Sequence, residues 1–101
     1  MSSALFRIRE KAVDDLEQIW IYTLENWSVE QADRYYNSII SEIEFIAKNF
    51  LSDKSINHIK EGYRVSKVQS HLIFYKLGSD EIVEIVRILH QRMDIENRLS
   101  D

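Results

Sequence analysis

Two strand-like runs folded back on one another, His71 to Leu77 and Ile82 to Leu89, constrain this chain more than any other feature. Both are rich in β-branched and aromatic residues, which fit a pleated, half-buried surface. Gly78-Ser79-Asp80 joins them, and Gly78 and Asp80 tolerate the positive φ that tight hairpin loops demand. A third strand candidate, Tyr63 to Val68, precedes the pair. At the front, Leu5-Phe6-Arg7-Ile8-Arg9 alternates apolar with basic, the two-residue period of a half-buried strand.

Helical spacing takes over at about Lys11. Val13, Leu16, Trp20, Leu24 and Trp27 recur every three or four residues, and Asp14, Asp15 and Glu17 fall where a helix dipole favours negative charge. A first helix over about Lys11 to Asn26 follows. Ser28 precedes Gln31 by three, a capping-box spacing that opens a second helix. Its stripe is Ala32, Tyr36, Ile39, Ile43, Ile46 and Phe50, widened by Tyr35, Ile40 and Ala47. So short a link between two helices forces an antiparallel hairpin. The order β-α-α-β-β-β argues an α+β fold. The helical hairpin packs on one face of a small, mainly antiparallel sheet, and a short C-terminal tail follows. At 101 residues a single domain spanning 1–101 is expected.

Composition excludes several functions. There is no cysteine, hence no disulfide framework, thiol nucleophile or thiolate metal site. Two glycines, Gly62 and Gly78, cannot build a Walker loop or a dinucleotide fingerprint. His58, His71 and His90 are scattered, with only the weak pair His90 and Asp94 at a metal-like spacing, so no metal is expected. No segment approaches the roughly 20 apolar residues of a membrane span, and the start of the chain lacks a signal-peptide pattern, so the expected compartment is the cytoplasm. The net charge of -4 disfavours direct nucleic-acid binding. Met1 to Lys54 holds ten acids against six bases, whereas Ser55 to Asp101 is balanced at seven each. A protein partner is favoured.

The catalytic alternative is RNA cleavage, which needs a general base, a general acid and cationic stabilisation of the phosphorane. Arg64, Arg87 and His90, with Glu61 and Lys67, are the residues that could supply these. Each also has a plainer reading. Arg64 and Lys67 fit a solvated strand face, Arg87 fits an interior arginine that needs an acidic partner, and His90 fits a turn hydrogen bond.

The helical pattern Lys11-Ala12, Asp15-Leu16, Ile19-Trp20, then Glu30-Gln31-Ala32 and Arg34-Tyr35-Tyr36, with Ile88-Leu89-His90-Gln91-Arg92-Met93-Asp94 after Arg87, resembles the ParE branch of the RelE/ParE toxins. The resemblance covers nearly the whole chain. It implies the toxin of a type II toxin–antitoxin pair, without cofactor or enzymatic activity of its own. Such a toxin traps DNA gyrase on cleaved DNA and is neutralised by a ParD-like antitoxin. The ribonuclease branch ends in aromatic or histidine-rich residues on a basic protein, and no tyrosine follows Tyr75 here. A ribosome-dependent ribonuclease and a non-toxic antitoxin-binding module are the alternatives. This chain departs from the family at the first helix, which opens on Arg9-Glu10 rather than on a Ser or Thr cap with Pro. It also departs in the connection Leu51 to Gly62, which has no proline.

For the antitoxin, whose disordered segment folds over the toxin, the expected contacts are Tyr22, Trp27, Tyr35, Arg64 and Lys67. Tyr22 and Tyr35 are read as outward-facing, Trp20 and Tyr36 as core. For the toxic target the expected patch is the tail, with His90, Arg92, Met93 and Arg98. The competing reading has Met93, Ile95 and Leu99 folding back onto the core.

Overall fold

The computed structural model describes residues 6–50, 54–56 and 60–100. Leu5, His58 and most of the connection after Phe50 lie outside them. The elements are β1 (Phe6–Ile8), α1 (Glu10–Asn26), α2 (Val29–Lys48), β2 (Lys54–Ser55), β3 (Arg64–Val68), β4 (His71–Leu77), β5 (Val83–His90) and α3 (Ile95–Ser100). They form a five-stranded sheet in the order β1-β5-β4-β3-β2. β1 runs parallel to β5, and the remaining pairs are antiparallel.

α2 starts where the sequence places it, the Ser28 Oγ accepting the Gln31 amide at 3.1 Å. The side chain of Gln31 accepts from Arg34 at 3.0 Å. At α1 no side chain caps the first turn, and Arg9 anchors the entry through its backbone instead, its N–H donating to the Ile85 carbonyl at 2.9 Å. In both helices the buried face is rotated from the expected one. α1 buries Ala12, Leu16 and Thr23, with Ile19 packed alongside, and leaves Val13 47% exposed. α2 buries Ala32, Tyr35, Ile39, Ile43 and Ile46, so Tyr35 turns inward and Tyr36 stands 39% exposed, the reverse of the sequence reading. Trp20 is half-buried, its indole N–H donating to Asp33 of α2 at 3.0 Å.

Val86 has no opposite residue. Phe74 pairs with Arg87 and Tyr75 with Ile85, so β5 carries one extra residue as a β-bulge. The bulge resets the alternation. Ile85 and Ile88 pack under the helices, while Val86 and Leu89 enter a second apolar cluster with Ile56, Tyr63, Phe74 and Leu99. That opposite face is closed by α3, which the sequence leaves as a tail. Leu99 is buried and Ile95 packs beside it, as the fold-back reading holds, but Met93 is exposed.

The β4–β5 turn also differs from expectation. Positive φ falls on Glu81, at 63°, and on neither Gly78 nor Asp80. Gly78 is required by space: a Cβ there would lie 2.9 Å from Asp80 Oδ1 and 3.0 Å from the Ile82 carbonyl. Asp80 organises the turn by accepting the Ile82 amide at 3.2 Å and a bidentate bond from Arg7 at 2.8 and 3.0 Å. That fork holds the Asp80 carboxyl down to about 2.

Candidate functional site

β1 pairs with β5 only as far as Ile85, and α1 takes over the edge beyond it. The Asp15 carboxylate substitutes for the missing strand. Its Oδ2 accepts the Ile88 backbone N–H at 2.9 Å and the Arg87 Nε at 2.8 Å, while Oδ1 accepts Arg87 Nη2 at 3.0 Å. Both side chains are nearly enclosed, at 12% exposure for Arg87 and 14% for Asp15. Arg87 also donates to the Arg98 carbonyl of α3 at 3.3 Å, and Lys60 donates to the Leu99 carbonyl at 2.9 Å. One arginine thus ties α1, β5 and α3 together. Asp15 is the acidic partner that the sequence could not name.

Above this junction a groove of about 650 Å³ opens between α1, the start of α2, the β3–β4 turn and the end of β5. Ile19, Tyr22, Trp27, Ile88 and Met93 supply its apolar surface. Tyr22 and Trp27 stand 60% and 67% exposed at the tip of the helical hairpin, their rings 6.2 Å apart. Such a pair of large, solvent-facing aromatics is the kind of anchor that interfaces use.

Tyr35, His71 and His90 form a linked cluster in the groove, whose polar lining also includes Gln18, Gln31, Gln69 and Ser70. His71 pairs directly with His90 across β4 and β5, and the rings meet edge to face at 5.3 Å. Tyr35 Oη lies 3.0 Å from the Val68 carbonyl and 2.7 Å from His71 Nδ1. His90 Nδ1 accepts the Arg92 amide at 3.1 Å. Burial, reinforced by the neighbouring His90, lowers His71 to about 4 against the opposing pull of Asp15. Burial raises the Tyr35 hydroxyl.

The two sets of residues expected for separate partners therefore mix. Tyr22, Trp27, Tyr35, His90 and Met93 share this groove. Arg64, Lys67, Arg92 and Arg98 do not line it. Arg64 and Lys67 sit three apart on β3 and so point to opposite faces, which corrects the single solvated face expected for them. Arg64 lies over the Phe50 ring at 5.3 Å on the helix side, while Lys67 is exposed. Nor do the three ribonuclease candidates converge. His90 pairs with His71 and Arg64 with Tyr75, four residues along β4 and so roughly 13 Å away. Arg87 is committed to Asp15. Among the described residues no group of three or more acidic or histidine side chains is placed to hold a metal.

His71 was missed as a groove residue. Counting back from the turn pairs it with Leu89, and only the bulge at Val86 moves His90 opposite.

This architecture is shared with a solved chain described as "Chromosomal ParDE TA system from P. aeruginosa", at a TM-score of 0.73 and 17% identity, covering 88% of this chain and 98% of that one. At that identity the likeness speaks for the fold alone. The sequence goes further. The family model described as "ParE toxin of type II toxin-antitoxin system, parDE" matches residues 6–95. Toxin ParE1 of Mycobacterium tuberculosis is 33% identical over 97 residues, 96% of this chain and 99% of that protein. Toxin ParE1 of Caulobacter vibrioides is 36% identical over 95 residues, covering 94% and 97%. The chain belongs to the ParE family of toxins of type II toxin–antitoxin systems.

Proposed function

We propose that this chain inhibits DNA gyrase by holding the enzyme on cleaved DNA, and that a ParD-like antitoxin neutralises it. Membership in the ParE family across residues 6–95 carries the reading. Two features of the chain support it. The separation of Arg64, Arg87 and His90 along the sheet favours a binding mode of action over RNA cleavage. The balance of charge, at -4, suits contact with protein more than with phosphate backbone.

The proposed antitoxin contacts are the exposed hairpin tip, Tyr22 and Trp27, with Lys67, which is exposed on the sheet face opposite the helical hairpin. Tyr35 and Arg64 contribute by shaping the surface around them, since Tyr35 is buried and Arg64 is packed on Phe50. The proposed target contacts are His90, Arg92, Met93 and Arg98. Removing everything after Leu89 is a poor test of them, because Leu99 would leave the second cluster. Arg92→Glu, Met93→Ser and Arg98→Glu act on exposed side chains instead. A supercoiling assay with purified gyrase, run beside a ribosome-programmed mRNA cleavage assay, separates the readings. Loss of supercoiling with intact mRNA is expected, and codon-register cuts in the mRNA with unaffected gyrase would reverse the assignment.

A further inference from the structure

The tail proposed as the target contact is held at both ends by groups outside it. At its start the Gln91 amide donates to the Ser70 carbonyl and the Met93 amide to the His90 carbonyl, both at 2.9 Å. Asp94 then opens α3. Its side chain accepts the Asn97 amide at 3.5 Å and the Asn97 Nδ2 at 2.6 Å, and its carbonyl accepts the Arg98 amide at 3.1 Å. α3 has six residues, far short of the roughly 12–15 that an isolated helix needs to persist in water. Leu99 is buried and Ile95 packs beside it, while Glu96, Asn97 and Arg98 are exposed. So short a helix needs more than Leu99 to hold its last turn.

That turn is completed by two cations from other parts of the chain. A helix ends in carbonyls without an amide partner and in partial negative charge, so a cation that donates to them meets both needs. Lys60 Nζ donates to the Leu99 carbonyl at 2.9 Å and Arg87 Nη1 to the Arg98 carbonyl at 3.3 Å. Arg87 is also the partner of Asp15, so its loss would disturb β5 and α1 together. Lys60 has no such second task. It is itself well placed: its amide donates to the Ile56 carbonyl at 2.9 Å, its carbonyl accepts the Tyr63 amide at 3.2 Å, and its ammonium lies 5.4 Å from the centre of the Tyr63 ring. The side chains of Arg92 and Arg98 are exposed and have no hydrogen bond or ion pair among the described residues, whereas Arg7, Arg9 and Arg87 are all committed to carboxylates.

We propose that Lys60 is a positioning residue for the target contact: by holding the last carbonyls of α3, it fixes Arg98 relative to Arg92 and Met93 before the target arrives. Without that hold the end of the tail must be ordered at the moment of binding, and the ordering cost is subtracted from the affinity. Lys60 acts through α3 and need not touch the target, since its ammonium is engaged by the Leu99 carbonyl and the Tyr63 ring. The inference rests on the reading of the tail as the surface that meets gyrase. A second lysine supplies the control. Lys76 Nζ lies 5.8 Å from the centre of the same Tyr63 ring, but it has no hydrogen bond to α3 among the described residues.

The test uses the full-length protein and its Lys60→Met, Lys60→Arg and Lys76→Met variants, each checked for a native fold by circular dichroism. Two quantities are read. One is the concentration that halves supercoiling by purified gyrase, and the other is the hydrogen-exchange rate of the Arg98 amide, which reports whether α3 is held. Lys60→Met should raise both on the order of tenfold, the loss of one hydrogen bond from a charged donor. Lys60→Arg keeps a donor and should restore most of both, and Lys76→Met should leave both unchanged. Faster exchange with unaltered inhibition would overturn the proposal. So would weaker inhibition with unaltered exchange, which would make Lys60 a contact residue instead. Lys76→Met as damaging as Lys60→Met would overturn it too, by tracing the effect to charge near Tyr63. A parent protein that leaves gyrase unaffected overturns the target reading and this role with it, whereas an active parent matched by an equally active Lys60→Met overturns this role alone.

Discussion

Replacing Asp15 by Ala removes three hydrogen bonds at once and leaves Arg87 facing a gap at 12% exposure, with the Ile88 amide unpaired on an open strand edge. Breaking one side of a buried, hydrogen-bonded ion pair costs about 3–5 kcal/mol. The Arg98 carbonyl still receives one Arg87 bond, so the low end applies. The expected loss is about 3 kcal/mol, a large share of the roughly 5–15 kcal/mol that holds a domain of this size together. At about 4–8 °C per kcal/mol, the melting temperature should drop by at least about 12 °C. Urea denaturation followed by circular dichroism measures the change, with the slope of the transition checked for constancy. In the double variant Asp15→Leu with Arg87→Met, both charges are gone and much of the loss should be recovered. A single Asp15→Ala variant that loses less than about 1 kcal/mol would refute the claim that this carboxylate closes the edge of β5.

Three further outcomes follow from the groove. His71 is lowered to about 4, below its unfolded value near 6.5, so the unfolded chain binds the extra proton first. Stability from this group is present above about pH 6.5 and is lost as pH falls toward 4. Asp15, His90 and Tyr35 face the ring and stay in place, so denaturation at pH 7.5 and pH 5 should differ by about 1–2 kcal/mol after solvent screening, less so in His71→Phe. Tyr35→Phe deletes the hydroxyl between Val68 and His71 and should cost about 1–2 kcal/mol in urea denaturation, against almost nothing for Tyr36→Phe. Tyr22→Ala and Trp27→Ala should stay within about 0.5 kcal/mol of the parent in the same assay, since both side chains are exposed and any effect on partner binding is then a contact effect.

Periodicity located the elements of this chain well because its sheet and hairpin are patterned at two clean periods. Alternation found β1, β3, β4 and β5, and the Ser28 cap found the start of α2. What it could not supply was helix phase. Val13 and Tyr36 fit the stripes as well as Ala12 and Tyr35 do, and the sheet, not the helix, selects between them. Tyr35 wins because its hydroxyl reaches the β3–β4 turn. The bulge at Val86 was equally hidden, because a contiguous apolar run such as Ile85-Val86 looks the same with or without it. That one residue decides which histidine faces His71 and lets β5 serve two cores. The aromatics of the site were legible as a surplus beyond core needs. The imidazole pair was not, since its members lie 19 positions apart and meet only through the shifted register.

The most direct test of the central claim is to incubate the purified chain with gyrase and supercoiled plasmid, denature and digest the protein, and look for linear DNA. Linear product should grow with the amount of toxin and disappear when Arg92→Glu and Arg98→Glu are combined in a variant that remains folded. Unchanged supercoiling activity and no linear DNA at any toxin concentration would contradict that claim.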